Sequence, residues 1–169
     1  MISIKFNPDS EKQEIVKSVK EYQEIWDKEG DKIVQAIEKV SGFSFAEAEI
    51  EAVVYEGAGH SNPFQLNATY SKEVKKGKLM HELCHRLVSD NNIIVKINNS
   101  KDKTLEIHKL LYLILYDVWS EAGDEEFARA MVEIESRRSS VYENAWVWAL
   151  NLSKEERAKK FRDAAPKKL

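Results

Sequence analysis

Two imidazoles and a carboxylate stand in five consecutive residues, His81-Glu82-Leu83-Cys84-His85. On a helix, residues four apart lie on one face, one turn above the other. His81 and His85 can therefore hold a single metal ion from one side, and Glu82 can reach a water bound to that ion. Zinc lowers the pKa of such a water to about 7, and a carboxylate within hydrogen-bond reach can take its proton. The chemistry this arrangement offers is hydrolysis. The same pattern also arises as two solvent-facing histidines beside an exposed glutamate. Two features favour the metal. The chain has four histidines, and a third, His108, lies downstream in another helical pattern. Leu79, Met80, Leu83, Leu87 and Val88 also give the motif helix an apolar side that belongs in a core.

A catalytic zinc generally takes three protein ligands and keeps a fourth position open. His108 is the expected third ligand, and Glu121, further along the same helical run, is its rival. Cys84 lies about 100° around the helix from His85 and reads as a small buried side chain. Asp117 interrupts the apolar run 110–119, and a buried carboxylate needs a partner. That partner could be the second ring N–H of a ligating histidine, or an arginine such as Arg86 or Arg129. Tyr112, one turn beyond His108, suits core packing or a hydrogen bond to a developing oxyanion. His60, in a glycine-rich loop, is either exposed or borders a cleft.

The elements that must position these groups are legible in outline. Ile2, Ile4 and Phe6 alternate with Ser3 and Lys5 as a first strand. Ser10 to Gln13 has the pattern of a capping box and opens a helix that Gly30 should stop. A second helix, capped by Asp31, ends at Ser41-Gly42. Residues 49–55 read as a strand, 57–63 as a loop and 66–70 as another strand. Ser71 caps the motif helix, about 72–89, with Gly77 inside it. Ile93 to Ile97 reads as a short strand and 98–103 as a polar loop. Asp102 or Thr104 caps a helix of about 105–121 that is apolar nearly all round and should be the most buried. Asp124 caps the next helix. Ser140-Val141-Tyr142-Glu143 forms another capping-box pattern, and Ser153 to Glu156 opens the last helix.

With 169 residues, 43% hydrophobic and 33% charged, one domain spanning 1–169 is expected. A net charge of −3 speaks against a general nucleic-acid or anionic-membrane binder. The longest apolar run, 110–116, is far too short to span a bilayer. No signal-peptide core opens the chain, and its single cysteine cannot form an internal disulfide. A cytoplasmic protein is the expectation.

The H-E-x-x-H stretch resembles the zinc-binding helix of the zincin metallopeptidases. His108 followed by Tyr112 resembles the SprT-like branch, although Lys109 stands where those chains usually have glycine and the gap from His85 is longer. Ser120-Glu121-Ala122-Gly123 loosely resembles the glutamate segment of gluzincins. The resemblance implies an α+β fold: a small zincin-like domain, its short mixed sheet packed on the motif helix, with a helical C-terminal half. It also implies a sheet edge beside the cleft that pairs with extended substrate, which 49–55 or 66–71 could supply.

The function expected is zinc-dependent hydrolysis of a peptide or protein substrate. Zn2+ would sit on His81, His85 and His108, with Glu82 as general base. One alternative is a catalytically silent, zincin-derived metal-binding or regulatory protein. Another is a metal-free helical interaction protein that docks a partner through Ala145-Trp146-Val147-Trp148. Nothing in the sequence fixes the oligomeric state.

Overall fold

The computed structural model describes residues 2–46, 48–93 and 102–166. The first alternation forms β1 (Ser3–Pro8), and the strand read at 49–55 is β2 (Glu49–Tyr55). The two pair in parallel, with Ile4 beside Ile50 and Phe6 beside Ala52. Parallel neighbours need a long crossover, which α1 (Gln13–Ser41) supplies.

The two helices expected on either side of Gly30 are one. A mid-helix glycine costs only about 1 kcal/mol against alanine, and burial of Ile25, Ile33 and Ile37 outweighs it. Gly30 serves packing, because a Cβ there would lie 2.9 Å from the Trp26 ring. The helix ends where expected, at Gly42 with φ 77°, a left-handed conformation that glycine adopts freely. Its start differs from expectation. The box at Ser10 does not form; Lys12 occupies the cap position without a side-chain cap bond and pairs instead with Glu56 at 2.8 Å.

The loop 57–63 contains a two-residue strand, β3 (His60–Ser61), antiparallel to β4 (Phe64–Asn67). The strand expected at 66–70 starts earlier and is shorter. Asn67 ends it by accepting from the Thr69 N–H at 2.6 Å and donating to the Gly57 carbonyl at 2.6 Å. The sheet order is β1-β2-β4-β3. Neither segment expected as a free edge is one: β2 lies between β1 and β4, and β4 between β2 and β3. The outer strands are β1 and β3.

The motif helix is α2 (Lys72–Asp90), with Ser71 accepting from the Val74 N–H at 3.4 Å. Of the short strand expected at Ile93 to Ile97, residues 94–97 lie outside the described residues. Asp102, rather than Thr104, caps α3 (Lys103–Ala122) through the Leu105 N–H at 3.1 Å. Asp124 caps α4 (Glu125–Ser136) as expected. Ser139 precedes α5 (Ser140–Leu150) without a cap bond, so the box read at Ser140 to Glu143 is absent. Ser153 and Glu156 form a complete capping box on α6 (Lys154–Ala164).

This is a mixed α+β fold. One face of the sheet buries Ile4, Phe6, Ile50, Ala52, Val54, Phe64 and Leu66. Tyr22 of α1 stacks on Phe6 and donates to the Asn67 carbonyl at 2.9 Å, tying helix to sheet. As its composition predicts, α3 is the central helix: Leu111, Tyr112, Ile114, Leu115, Val118 and Trp119 are all at most 1% exposed. Gly77 brings α2 and α4 together, since a Cβ there would collide with Met131. Its carbonyl also accepts the Trp119 indole N–H at 3.1 Å. Trp146 stacks on Tyr112 with ring centroids 3.7 Å apart and is buried, as is Ala145, while Val147 is exposed and Trp148 half-buried. Among the described residues no helix is long and apolar enough to cross a membrane.

Candidate metal centre

The helical period puts His81 and His85 on one face of α2, and α3 brings His108 to the same point. The ligating nitrogens of the three lie within 4.8 Å of one another. The Nε2 atoms of His81 and His85 are 3.1 Å apart. Two ligands at about 2.0–2.1 Å from a tetrahedral zinc would be about 3.3–3.4 Å apart, so the pair has nearly the spacing of a shared ion. His108 donates from Nδ1 to the Thr104 carbonyl at 2.8 Å, because a carbonyl can only accept. Its Nε2 keeps a lone pair.

These are not solvent-facing histidines: His81 and His108 are buried and His85 is half-buried. Burial first, then the neighbouring His81 and His108, holds His85 well below the usual histidine range. Burial first, then His81, lowers His108 to about 4. Neutral imidazole is the form a metal needs.

Behind His81 stands a group that the sequence reading missed. Glu135 of α4 is fully buried. Its Oε1 lies 2.7 Å from His81 Nδ1, close but off the straight line of a hydrogen bond. The same oxygen accepts from Lys78 Nζ at 2.5 Å, and Oε2 accepts from the Tyr112 hydroxyl at 2.7 Å. Burial alone would push Glu135 up; the charges of His81 and Lys78 outweigh it and hold the carboxyl well below its usual range. Carboxylates behind ligating histidines set ring orientation and tautomer. A signal for Glu135 existed: it shares the buried face of α4 with Ala128 and Met131, at helical spacing. With its hydroxyl committed to Glu135 and its ring to Trp146, Tyr112 is a core residue and is not offered to an oxyanion.

Glu82 is buried beside the histidines, and burial raises its carboxyl above the usual range. Gly59 makes room for it: a Cβ there would lie 2.7 Å from Glu82 Oε1. Glu82, the three histidines, Gly59, His60 and Ser61 line one cleft of about 450 Å³, together with Thr104, Ile107, Arg138 and Tyr142. His60 thus borders the cleft, on β3.

The other candidates lie elsewhere. Glu121 is on the surface, paired with Lys39 at 2.6 Å. Asp117 meets neither a histidine nor Arg86 or Arg129. It is held by Arg157 of α6, through Nε at 3.0 Å and Nη2 at 2.9 Å. Cys84 is fully buried, as expected, and burial pushes its thiol up.

No protein-family model, curated protein sequence or solved structure matches this chain.

Proposed function

We propose that this protein is a zincin-like metallopeptidase, with a zinc site on His81, His85 and His108 and Glu82 as general base. One observation carries the reading. Three imidazoles converge within 4.8 Å beside a buried glutamate that lines their cleft. A purely structural zinc site closes its fourth position and has no use for Glu82. Bound zinc would supply Lewis acidity and lower the pKa of water. Glu82 takes a proton from the attacking water and returns it to the departing amine, and its raised pKa suits both transfers. Glu135 orients His81, and the Thr104 carbonyl orients His108. The open side of β3, next to the cleft, offers backbone groups to an extended peptide.

The test is Glu82→Gln beside the wild type, with zinc content and cleavage of a peptide library both measured. The expected result is one zinc in each protein, with turnover lower by about 10²–10⁴-fold in the variant, the usual worth of a general base. Zinc in both but cleavage in neither would leave a metal-binding protein without this activity. Absence of zinc from both would remove the site.

A further inference from the structure

Arg138 sets the cleft apart from an ordinary histidine cluster. Four of the chain's six arginines are committed to carboxylates: Arg86 to Asp90, Arg129 to Glu125, Arg137 to Glu133 and Arg157 to Asp117. Arg138 lines the cleft beside the three histidines, and no carboxylate among the described residues pairs with it. It is nevertheless held in place. Its guanidinium lies 4.5 Å over the Tyr142 ring, whose edge-on neighbour is His108 at 4.7 Å. Its backbone N–H donates to the Glu135 carbonyl at 3.0 Å. One turn at the end of α4 therefore places Glu135 behind His81 and the exposed Arg138 at the lining of the cleft.

We propose that Arg138 is a specificity residue that takes the free C-terminal carboxylate of a short peptide, making the protein a carboxypeptidase-type hydrolase. Arginine's planar fork matches a carboxylate bidentately. A carboxylate held by Arg138 in the cleft that Glu82 and the histidines also line brings the peptide's last amide bond towards the histidines. Hydrolysis then joins water's oxygen to the acyl carbon and breaks the C–N bond, and the released amino acid's nitrogen receives the proton through Glu82.

The proposal rests on the peptidase reading, and binding to an inactive protein tests it separately. Zinc-loaded Glu82→Gln protein is dialysed against a pool of N-acetylated tripeptides as free acids, and against the same pool as C-terminal amides. Acids should be retained about tenfold or more over amides, the scale of one hydrogen bond between charged groups. Adding Arg138→Gln should abolish that preference, and Arg138→Lys should restore it in part. Equal retention of acids and amides, retention of neither, or a preference that survives Arg138→Gln would each overturn the proposal. The last of these would place the carboxylate on the metal. Failure of the peptidase reading shows elsewhere, as zinc-loaded wild type that cleaves no peptide.

Discussion

Two buried carboxylates, Asp117 on α3 and Glu135 held against α3 by Tyr112, do different things. Asp117 is saturated: Arg157 meets both its oxygens, and the remaining arginine nitrogen donates to the Leu152 carbonyl at 2.8 Å. Glu135 is also satisfied, by Lys78 and Tyr112, but it additionally faces a histidine whose other nitrogen is turned to two more imidazoles. A buried charge pair by itself marks a fold contact. A buried charge that faces three convergent imidazoles fits the proposed metal site.

That contrast breaks first at the closed pair. Asp117→Ala should destabilise the protein by about 3–5 kcal/mol, since it strands the Arg157 charge in the core, while leaving zinc affinity unchanged. Denaturant titration and zinc titration read the two halves, and a large loss of zinc affinity with intact stability would erase the distinction.

The open side should grade with distance from the ion. His108→Ala removes a ligand and should weaken zinc binding by more than roughly 100-fold. Glu135→Gln should weaken it by roughly 10–100-fold, and Glu121→Ala not at all. Competition with a chelating dye measures all three. Retained affinity in His108→Ala with loss in Glu121→Ala would make Glu121, not His108, the third ligand.

A smaller effect is expected where the site meets the sheet. Gly59→Ala should displace the Glu82 carboxylate and lower turnover by up to about 100-fold, the scale of a 1 Å misplacement. Zinc content should stay the same, because the atoms nearest an added Cβ all belong to Glu82. Unchanged turnover would mean that Glu82 has room elsewhere.

The mildest difference is in pH. The folded pKa of His108 is lowered to about 4, against about 6.5 in an unfolded chain. As pH falls, the unfolded chain binds the proton first. The stability of metal-free protein should therefore be complete above about 6.5 and decline as pH falls towards 4. His85 shifts the same way, and Glu135 remains ionised through this window. His108→Gln should flatten the decline; an equally steep decline in that variant would place the titrating group elsewhere.

The sequence by itself determined what depends on neighbours along the chain. The 3.6-residue period puts His81 and His85 on one face, Ser71, Asp124 and Ser153 cap their helices, and β2 runs where alternation places it. It also marked α3 as central, because a run apolar on all sides has no surface to spare for water. Only the tertiary structure decided what depends on how helices cross. Gly30 was legible as a stop, yet buried isoleucines on both sides carry α1 through it. Glu135 and Arg138 follow His85 at a distance; helical spacing marks Glu135 as a member of α4's buried face but not what it meets, and an arginine in Arg-Arg-Ser has no local signature. Their positions arise because Gly77 lets α4 close on α2, bringing Glu135 to the back of His81 and Arg138 to the lining of the cleft. The partner of Asp117 was undecidable for the same reason: several arginines have the right chemistry, and only the packing of α6 against α3 selects Arg157.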